Sequence, residues 1–114
     1  MDDLASTFPV LVDTIAVELT SSGRIALAGQ LRRSAVLSVS YDDETSAGYI
    51  ALEPWQETDV LDREVLGVRY ARAVGLRASY QAYLDIDSLD RVMGIELLFP
   101  PPELVGALVA HSVV

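Results

Sequence analysis

The chain of 114 residues contains no cysteine, no lysine and no asparagine, and it has a single histidine. Without cysteine, disulfides, thiolate nucleophiles, iron–sulfur clusters and cysteine-ligated zinc sites are excluded. The histidine, His111, lies near the C-terminus, where chains are usually least ordered, so we interpret it as an incidental surface residue. Cysteine and lysine are also the commonest soft nucleophile and the commonest catalytic cation, so their absence favours a binding protein over an enzyme.

Long hydrophobic runs and a basic leader are missing as well. The first residues, Met1 to Leu4, are acidic where a secretory signal is basic. The most apolar late stretch, residues 104–110, is far shorter than the ~20 residues that span a bilayer. We therefore expect a cytoplasmic protein with no membrane partner. Because the net charge is −9, we also expect no nucleic-acid partner.

Charge is unevenly distributed along the chain. There are 17 acidic residues and 8 basic ones, and every basic residue is arginine. Residues 35–62 carry seven acids and no base, whereas residues 63–78 carry four arginines and one acid. Adjacent blocks of opposite sign indicate either pairing within the chain or a surface of polarised charge, and ordinary solvated faces are the third interpretation.

Two helices are predicted before residue 35. Apolar residues at steps of three and four predict an amphipathic helix over 4–20, in which Pro9 is tolerated in the first turn. This apolar face consists of Leu4, Phe8, Leu11, Ile15 and Leu19. Ser22 is the predicted N-cap of a second helix over 23–34, and the short turn between them predicts an antiparallel helical hairpin. The inward residues of the second helix are predicted to be Ile25, Leu27, Ala28, Leu31 and Ala35.

After the helices the apolar period changes from 3.6 to 2, which indicates strands. Alternation predicts one hairpin from strands 35–41 and 47–53, and a second hairpin from strands 80–87 and 92–99. The more apolar faces of the first and last of these strands carry Leu37, Val39, Tyr41, Met93, Ile95, Leu97 and Phe99.

The remaining segments complete the predicted architecture. Residues 64–70 alternate weakly and favour a strand followed by a loop, and Pro102 is predicted to open a short helix over 103–110. We expect a single α+β domain with an antiparallel sheet of about four strands. Its predicted parts are a helical hairpin at 1–34, a sheet at 35–99 with an insertion at 53–79, and a C-terminal helix and tail at 100–114.

Two acidic turns are candidates for binding divalent cations. Asp42 and Asp43 lie in the turn of the first hairpin, and Asp85 and Asp87 lie at the turn of the second. Carboxylate oxygens are the ligands that hard cations prefer, although the EF-hand pattern is not matched. If both turns lie at one end of the sheet, their carboxylates cluster and bind such ions weakly. Otherwise they are solvated turns.

Four further residues are candidates for contacts with a partner. Glu96 stands mid-strand between apolar neighbours, so it lies either on the wet face of the sheet or beside an arginine. Trp55 is the single tryptophan, and Arg69 and Arg72 belong to the arginine-bearing segment that follows it. The sequence contains no evident nucleophile–base pair or metal-ligand constellation, so we expect no catalytic residue and no cofactor.

The two hairpins carry a family resemblance. Residues 36–52 contain Tyr41-Asp42-Asp43-Glu44 and then Tyr49-Ile50, and residues 80–98 end in Gly94-Ile95-Glu96-Leu97-Leu98. Both segments resemble a small bacterial family catalogued as domain of unknown function 2283. Some members of that family resemble antitoxin partners of small basic toxins. The resemblance therefore implies a basic protein partner for this chain. Residues 53–79 and the N-terminal helices depart from the family pattern.

Two functional hypotheses of different classes follow. The first is a non-catalytic protein-interaction module, an antitoxin-like acidic partner of a basic protein, motivated by the acidic block at 35–62. The alternative is a binding module for a small ligand or a divalent metal at the acidic turns. We also expect a homodimer, because the apolar residues of both sheet faces and of the helices exceed what one small core needs.

Overall fold

The structure is a computed structural model that describes residues 2–52, 72–77, 81–86 and 91–112. It confirms the predicted α+β class, with helices at the N-terminal end, an antiparallel sheet and a short C-terminal helix. No helix among these residues is long and apolar enough to cross a membrane. The helices are α1 (Leu4–Thr7), α2 (Pro9–Ser21), α3 (Ile25–Arg32) and α4 (Pro102–His111).

The predicted helix over 4–20 is interrupted at Phe8, which has φ −131° and ψ 63° and lies between α1 and α2. Pro9 causes the interruption, because proline disfavours the helical conformation in the residue before it and begins a new helix readily. The prediction of a single helix is therefore wrong, but its apolar face is confirmed. All five residues of that face are buried, namely Leu4, Phe8, Leu11, Ile15 and Leu19.

The start of α3 also differs from the sequence prediction. Ser22 does not cap it: its hydroxyl donates to the carbonyl oxygens of Glu18 and Leu19 at 3.1 Å each, so it closes the end of α2. The N-cap of α3 is Arg24, without a side-chain hydrogen bond. Ile25 is 68% exposed, contrary to expectation, because the buried face of α3 is set by Leu27, Ala28 and Leu31 and residue 25 lies outside it.

Within the described ranges, six strands form one sheet in which every neighbouring pair is antiparallel. They are β1 (Asp2–Asp3), β2 (Ala35–Asp42), β3 (Ala47–Leu52), β4 (Arg72–Arg77), β5 (Gln81–Ile86) and β6 (Val92–Leu98), in the order β1-β2-β3-β6-β5-β4. Both predicted hairpins are present, and β3 and β6 join them at the centre of the sheet.

Strand β4 is a correction to the sequence prediction, which placed a loop after a strand over 64–70. The predicted strand over 64–70 lies outside the described residues, and the expected loop contains β4, paired along its length with β5. Its alternation is weak because Ala73 and Gly75 are small and occupy one set of alternate positions. Pairing with β5 decides the conformation here, since strand propensity depends on neighbouring strands more than on local sequence.

The core lies between one face of the sheet and the helices. A row of directly opposed residues, Val39, Ile50, Ile95 and Leu84, runs across four strands and is buried. These residues belong to the same apolar cluster as the buried side chains of α1, α2, α3 and α4. Helix α4 approaches β3 closely at Gly48, where an added methyl group would lie 2.7 Å from Cδ1 of Leu108. We call this side of the sheet the core face.

Two side chains expected on the core side are exposed. Leu37 is 52% exposed because the register of β2 against β3 shifts between Val36 and Ser38, which displaces the residue between them. Phe99 is 66% exposed and has φ 54°, so it has left the strand conformation. Its N–H donates to the carbonyl oxygen of Ser46 at 2.8 Å, which fixes the exit of the chain beside the β2–β3 turn.

Candidate functional site

The face of the sheet opposite the core, which we call the open face, carries two rows of opposed residues. One row is Ser40, Tyr49, Glu96 and Tyr83, and the next is Ser38, Ala51, Gly94 and Asp85. Serine, tyrosine and acidic residues at these positions contrast with the aliphatic rows of the core face. The alternation along β2, β3, β5 and β6 therefore produces one dry side and one polar side.

Tyr49 and Asp85 are joined by a hydrogen bond across the open face. The phenol oxygen of Tyr49 on β3 donates to Oδ2 of Asp85 on β5 at 2.8 Å. Strand β6 lies between these two strands, and its residue at the crossing point is Gly94. A methyl group at Gly94 would overlap the phenol oxygen and lie 2.8 Å from Cε2 of Tyr49. The absence of a side chain at Gly94 therefore lets the Tyr49 ring cross β6.

This three-strand contact brings together residues that lie far apart in the sequence. Asp85 was a metal candidate, while Tyr49 and Gly94 belonged to the segments that carry the family resemblance. A tyrosine and an aspartate on the two strands that flank a glycine-bearing strand indicate a contact of this kind. The pattern can be recognised only when the strand order is known. Tyr49 and Asp85 are half-buried and satisfy each other, which indicates a structural clamp.

The two acidic turns do not converge. Asp42 pairs with Ala47, which pairs with Leu98, whereas Asp85 pairs with Gly94, four residues earlier on β6. Because β3 and β6 are antiparallel, the β2–β3 turn lies at one end of the sheet and the chain passes from β5 to β6 at the other. Asp87 lies outside the described residues. Within the described ranges, no group of three or more histidine, aspartate or glutamate residues could hold a metal ion.

Asp42 has a local structural role in its own turn. Its Oδ1 accepts a hydrogen bond from the backbone N–H of Glu44 at 3.0 Å, the arrangement of an Asx turn. Asp42, Asp43 and Glu44 are all exposed. They form an acidic group at one end of β2, whereas Arg33 lies two residues before the other end of that strand. The charge along β2 is therefore polarised.

The predicted interaction residues have different outcomes. Glu96 is exposed on the open face, between Tyr49 and Tyr83, as expected for the wet face of the sheet. Arg72 begins β4, opposite Ile86. Trp55 and Arg69 lie outside the described residues. His111 is exposed, and its ring packs edge-on against Phe8 with a centroid distance of 5.6 Å.

Strand β2 has one edge that no other described strand pairs with along most of its length, a feature that the local sequence pattern does not indicate. On the side away from β3, strand β1 pairs only with Val36 and Ala35. Among the residues that the structure describes, no strand pairs with residues 37–42 on that side. We call this side of residues 37–42 the β2 edge. It ends directly at the acidic group of Asp42, Asp43 and Glu44.

Comparison with family models, with curated proteins and with solved structures finds no match for this chain.

Proposed function

We propose that this chain is a cytoplasmic, non-catalytic protein-interaction module that binds an extended, basic segment of another protein along the β2 edge. The observation that carries the proposal is the continuity of this unpaired edge with the exposed acids Asp42, Asp43 and Glu44. The edge supplies backbone hydrogen-bonding groups and the acids supply charge of one sign. Together they favour a partner strand rich in lysine or arginine.

The β2 edge is suited to strand addition. An edge strand presents backbone N–H and C=O groups that another strand can use, and proteins commonly protect such edges with lysine, proline or inward-pointing charges. Residues 37–42 contain neither lysine nor proline, although helix α4 packs against β2 from the core face and the register of β2 shifts between Val36 and Ser38. Ser38 and Ser40 are exposed and small, so the open-face side of this edge offers little steric hindrance to an incoming strand.

The acidic group determines which strand is preferred. Exposed ion pairs contribute only about 0.2–1 kcal/mol each, so backbone pairing supplies most of the affinity and charge supplies selectivity and association rate. The resemblance of residues 36–52 and 80–98 to the family of unknown function supports a partner of this kind, because some of its members resemble antitoxins of small basic toxins. We also propose that this chain belongs to that family.

A second copy of the chain is the other occupant that the β2 edge can accept. Antiparallel pairing of two β2 strands would bring the acidic group of each copy towards the end of the other strand, where Asp3 and Arg33 are both exposed. Charge at that end is mixed, so the binding of matched basic and acidic peptides, and not charge alone, separates a basic partner from a second copy.

A homodimer through apolar contacts is the second candidate arrangement. Among the side chains that the structure describes, six large apolar ones are more than half exposed, namely Val10, Val17, Ile25, Leu37, Phe99 and Val109. Exposed apolar surface favours association when it forms a contiguous patch. Light scattering on the full chain tests this arrangement, and a monomeric mass at micromolar concentration contradicts it.

The proposed function is tested by binding of two matched peptides to the full chain. One peptide alternates lysine with threonine, and the other has glutamate in place of lysine. We expect saturable binding of the lysine peptide alone, with slower backbone amide exchange at residues 37–42. Protection at any other strand, or equal binding of both peptides, contradicts the proposal.

Two double variants that remove the same amount of charge distinguish attraction by the acidic group from attraction by the net charge of the chain. Asp43→Asn with Glu44→Gln removes two charges beside the β2 edge, and Asp13→Asn with Glu96→Gln removes two exposed charges elsewhere. We expect the first pair to weaken lysine-peptide binding about fivefold, as the loss of two exposed ion pairs implies. The second pair should have no more than about a twofold effect. Equal effects would show attraction to net charge alone.

A further inference from the structure

The helices on the core face lie towards opposite edges of the sheet. Helix α4 contacts β2, whereas α2 contacts β4 at the other edge. Leu104 and Ala107 of α4 face the beginning of α2 across a shared cavity. The next residue of α4, Leu108, packs on Gly48 of β3. The side of α4 that faces away from α2 therefore borders the β2 edge.

Two valines occupy this outer side of α4. Val105 and Val109 stand four positions apart in the sequence, so they share one face of the helix. Successive residues of an α-helix are about 100° apart, which places both valines opposite Ala107. Val105 is half-buried and Val109 is 57% exposed. An apolar surface thus borders the β2 edge on its core-face side.

The open-face side of the same edge has the opposite character. Ser38 and Ser40 are exposed there, and the acidic group of Asp42, Asp43 and Glu44 follows at the end of the strand. A strand added at the β2 edge would direct alternate side chains to the two faces of the sheet. Those on the core-face side would meet the valines of α4, and those on the open-face side would meet hydroxyls and carboxylates.

Strand β1 limits the length of the segment that the β2 edge can hold. It pairs with Ala35 and Val36 on the same side of β2. The N–H of Leu4 donates to the carbonyl oxygen of Ser34 at 3.0 Å, and the Leu4 side chain is fully buried, so β1 is held in place. An incoming strand is therefore confined to residues 37–42, a length of six residues.

We infer that the segment bound at the β2 edge is an amphipathic strand of six residues, in which lysine or arginine alternates with valine, isoleucine or leucine. The basic side chains lie on the open face, and the aliphatic ones pack beside Val105 and Val109. This inference rests on the proposed function, because it names the composition of the strand that the same edge binds. Burial of the aliphatic side chains adds affinity in proportion to the apolar area covered.

Three peptides of six residues with blocked termini, titrated into the full chain in calorimetry, test the inference. One alternates lysine with threonine, the second lysine with valine, and the third glutamate with valine. We expect the lysine–valine peptide to bind about tenfold more tightly than the lysine–threonine peptide, since its valines are partly buried against α4. The glutamate–valine peptide should bind more weakly than either.

The outcomes separate this inference from the proposed function. Equal affinity of the two lysine peptides overturns the inference and leaves the proposed function intact. Absence of binding by both lysine peptides contradicts the proposed function itself. Equal affinity of the two valine peptides overturns the inference, because the basic side chains then contribute nothing to the binding of an amphipathic strand.

Variants of two exposed valines locate the aliphatic contacts. Val109→Ser should weaken binding of the lysine–valine peptide about threefold and leave binding of the lysine–threonine peptide unchanged. Val17→Ser, at an exposed position of α2, is the matched control and should change neither affinity. Equal effects of the two substitutions overturn the inference. A dimer that dissociates as the lysine–valine peptide binds also overturns it, because a second copy then fills the β2 edge.

A longer peptide tests the limit that β1 sets. Adding Thr-Val-Thr-Val to the lysine–valine peptide should change its affinity by no more than about twofold, because the backbone groups beyond the β2 edge already pair with β1. Slower amide exchange should stay confined to residues 37–42. A larger gain in affinity would show that the added residues displace β1, and it would overturn the six-residue limit.

Discussion

Individual residues determine how the open face is arranged, and Gly94 is the strongest case. Replacing Gly94 with alanine would force the Tyr49 ring away from β6 and break its hydrogen bond to Asp85. We expect Gly94→Ala to lower the free energy of unfolding by about 1–3 kcal/mol, the range for an added group in a filled space. Urea unfolding measures this loss.

Two comparisons make the Gly94 prediction specific. Gly106→Ala is the matched control, because nothing lies within 4 Å of an added methyl group there and alanine favours a helix. It should leave stability unchanged or raise it slightly. In a Tyr49→Ser background the cost of Gly94→Ala should fall to less than half, since the obstructing ring is gone. If Gly94→Ala lowers stability by the same amount in the Tyr49→Ser background, the strain lies in the backbone of β6 and not against the ring.

The hydrogen bond between Tyr49 and Asp85 has its own prediction. Tyr49→Phe removes the donor and keeps the ring, so we expect a loss of about 0.5–1.5 kcal/mol in the free energy of unfolding. Tyr83→Phe is the matched control on the same face, because the structure describes no hydrogen bond from the Tyr83 hydroxyl. Thermal unfolding of both variants gives the comparison, and equal losses would show that the bond adds nothing.

Secondary-structure elements show why part of the fold was predictable. The apolar face of α1 and α2 follows directly from side-chain spacing, and it survives the break at Phe8 because both helices pack on the same core. The break at Phe8 could be predicted only by giving Pro9 more weight than the continuous apolar pattern. Strand β4 could not be found from Arg72–Arg77 alone, because its conformation depends on pairing with β5.

Helix α4 is an integral part of the core, and a pair of adjacent residues tests this. Leu108 is fully buried and packs closely at Gly48, whereas Val109 is more than half exposed. Leu108→Ala should therefore cost about 2–4 kcal/mol in chemical unfolding. Val109→Ala should change stability by less than about 0.5 kcal/mol. Similar small effects at both positions would mean that α4 adds little to the stability of the sheet.

At the scale of the whole molecule, the order of the strands determines which of the predicted site residues lie close together. The sequence places acids in two hairpin turns, but nothing local states whether those turns share an end of the sheet. The antiparallel pairing of β3 with β6 sends them to opposite ends, and the same topology leaves residues 37–42 at an edge and brings Tyr49 to Asp85. Such contacts depend on long-range pairing, so a single sequence gave no access to them.

The overall charge yields a prediction that separates the two interpretations of the acidic and arginine-bearing blocks. With a net charge of −9, self-repulsion should dominate unless residues 35–62 and 63–78 neutralise each other. Raising sodium chloride from about 0.02 to 0.5 M screens exposed charges, so we expect the Tm to rise by several degrees. Asp43→Asn with Glu44→Gln changes the charge from −9 to −7 and should raise the Tm in low salt while reducing the gain from added salt. A Tm that falls with salt would instead show that attraction between the two blocks stabilises the fold.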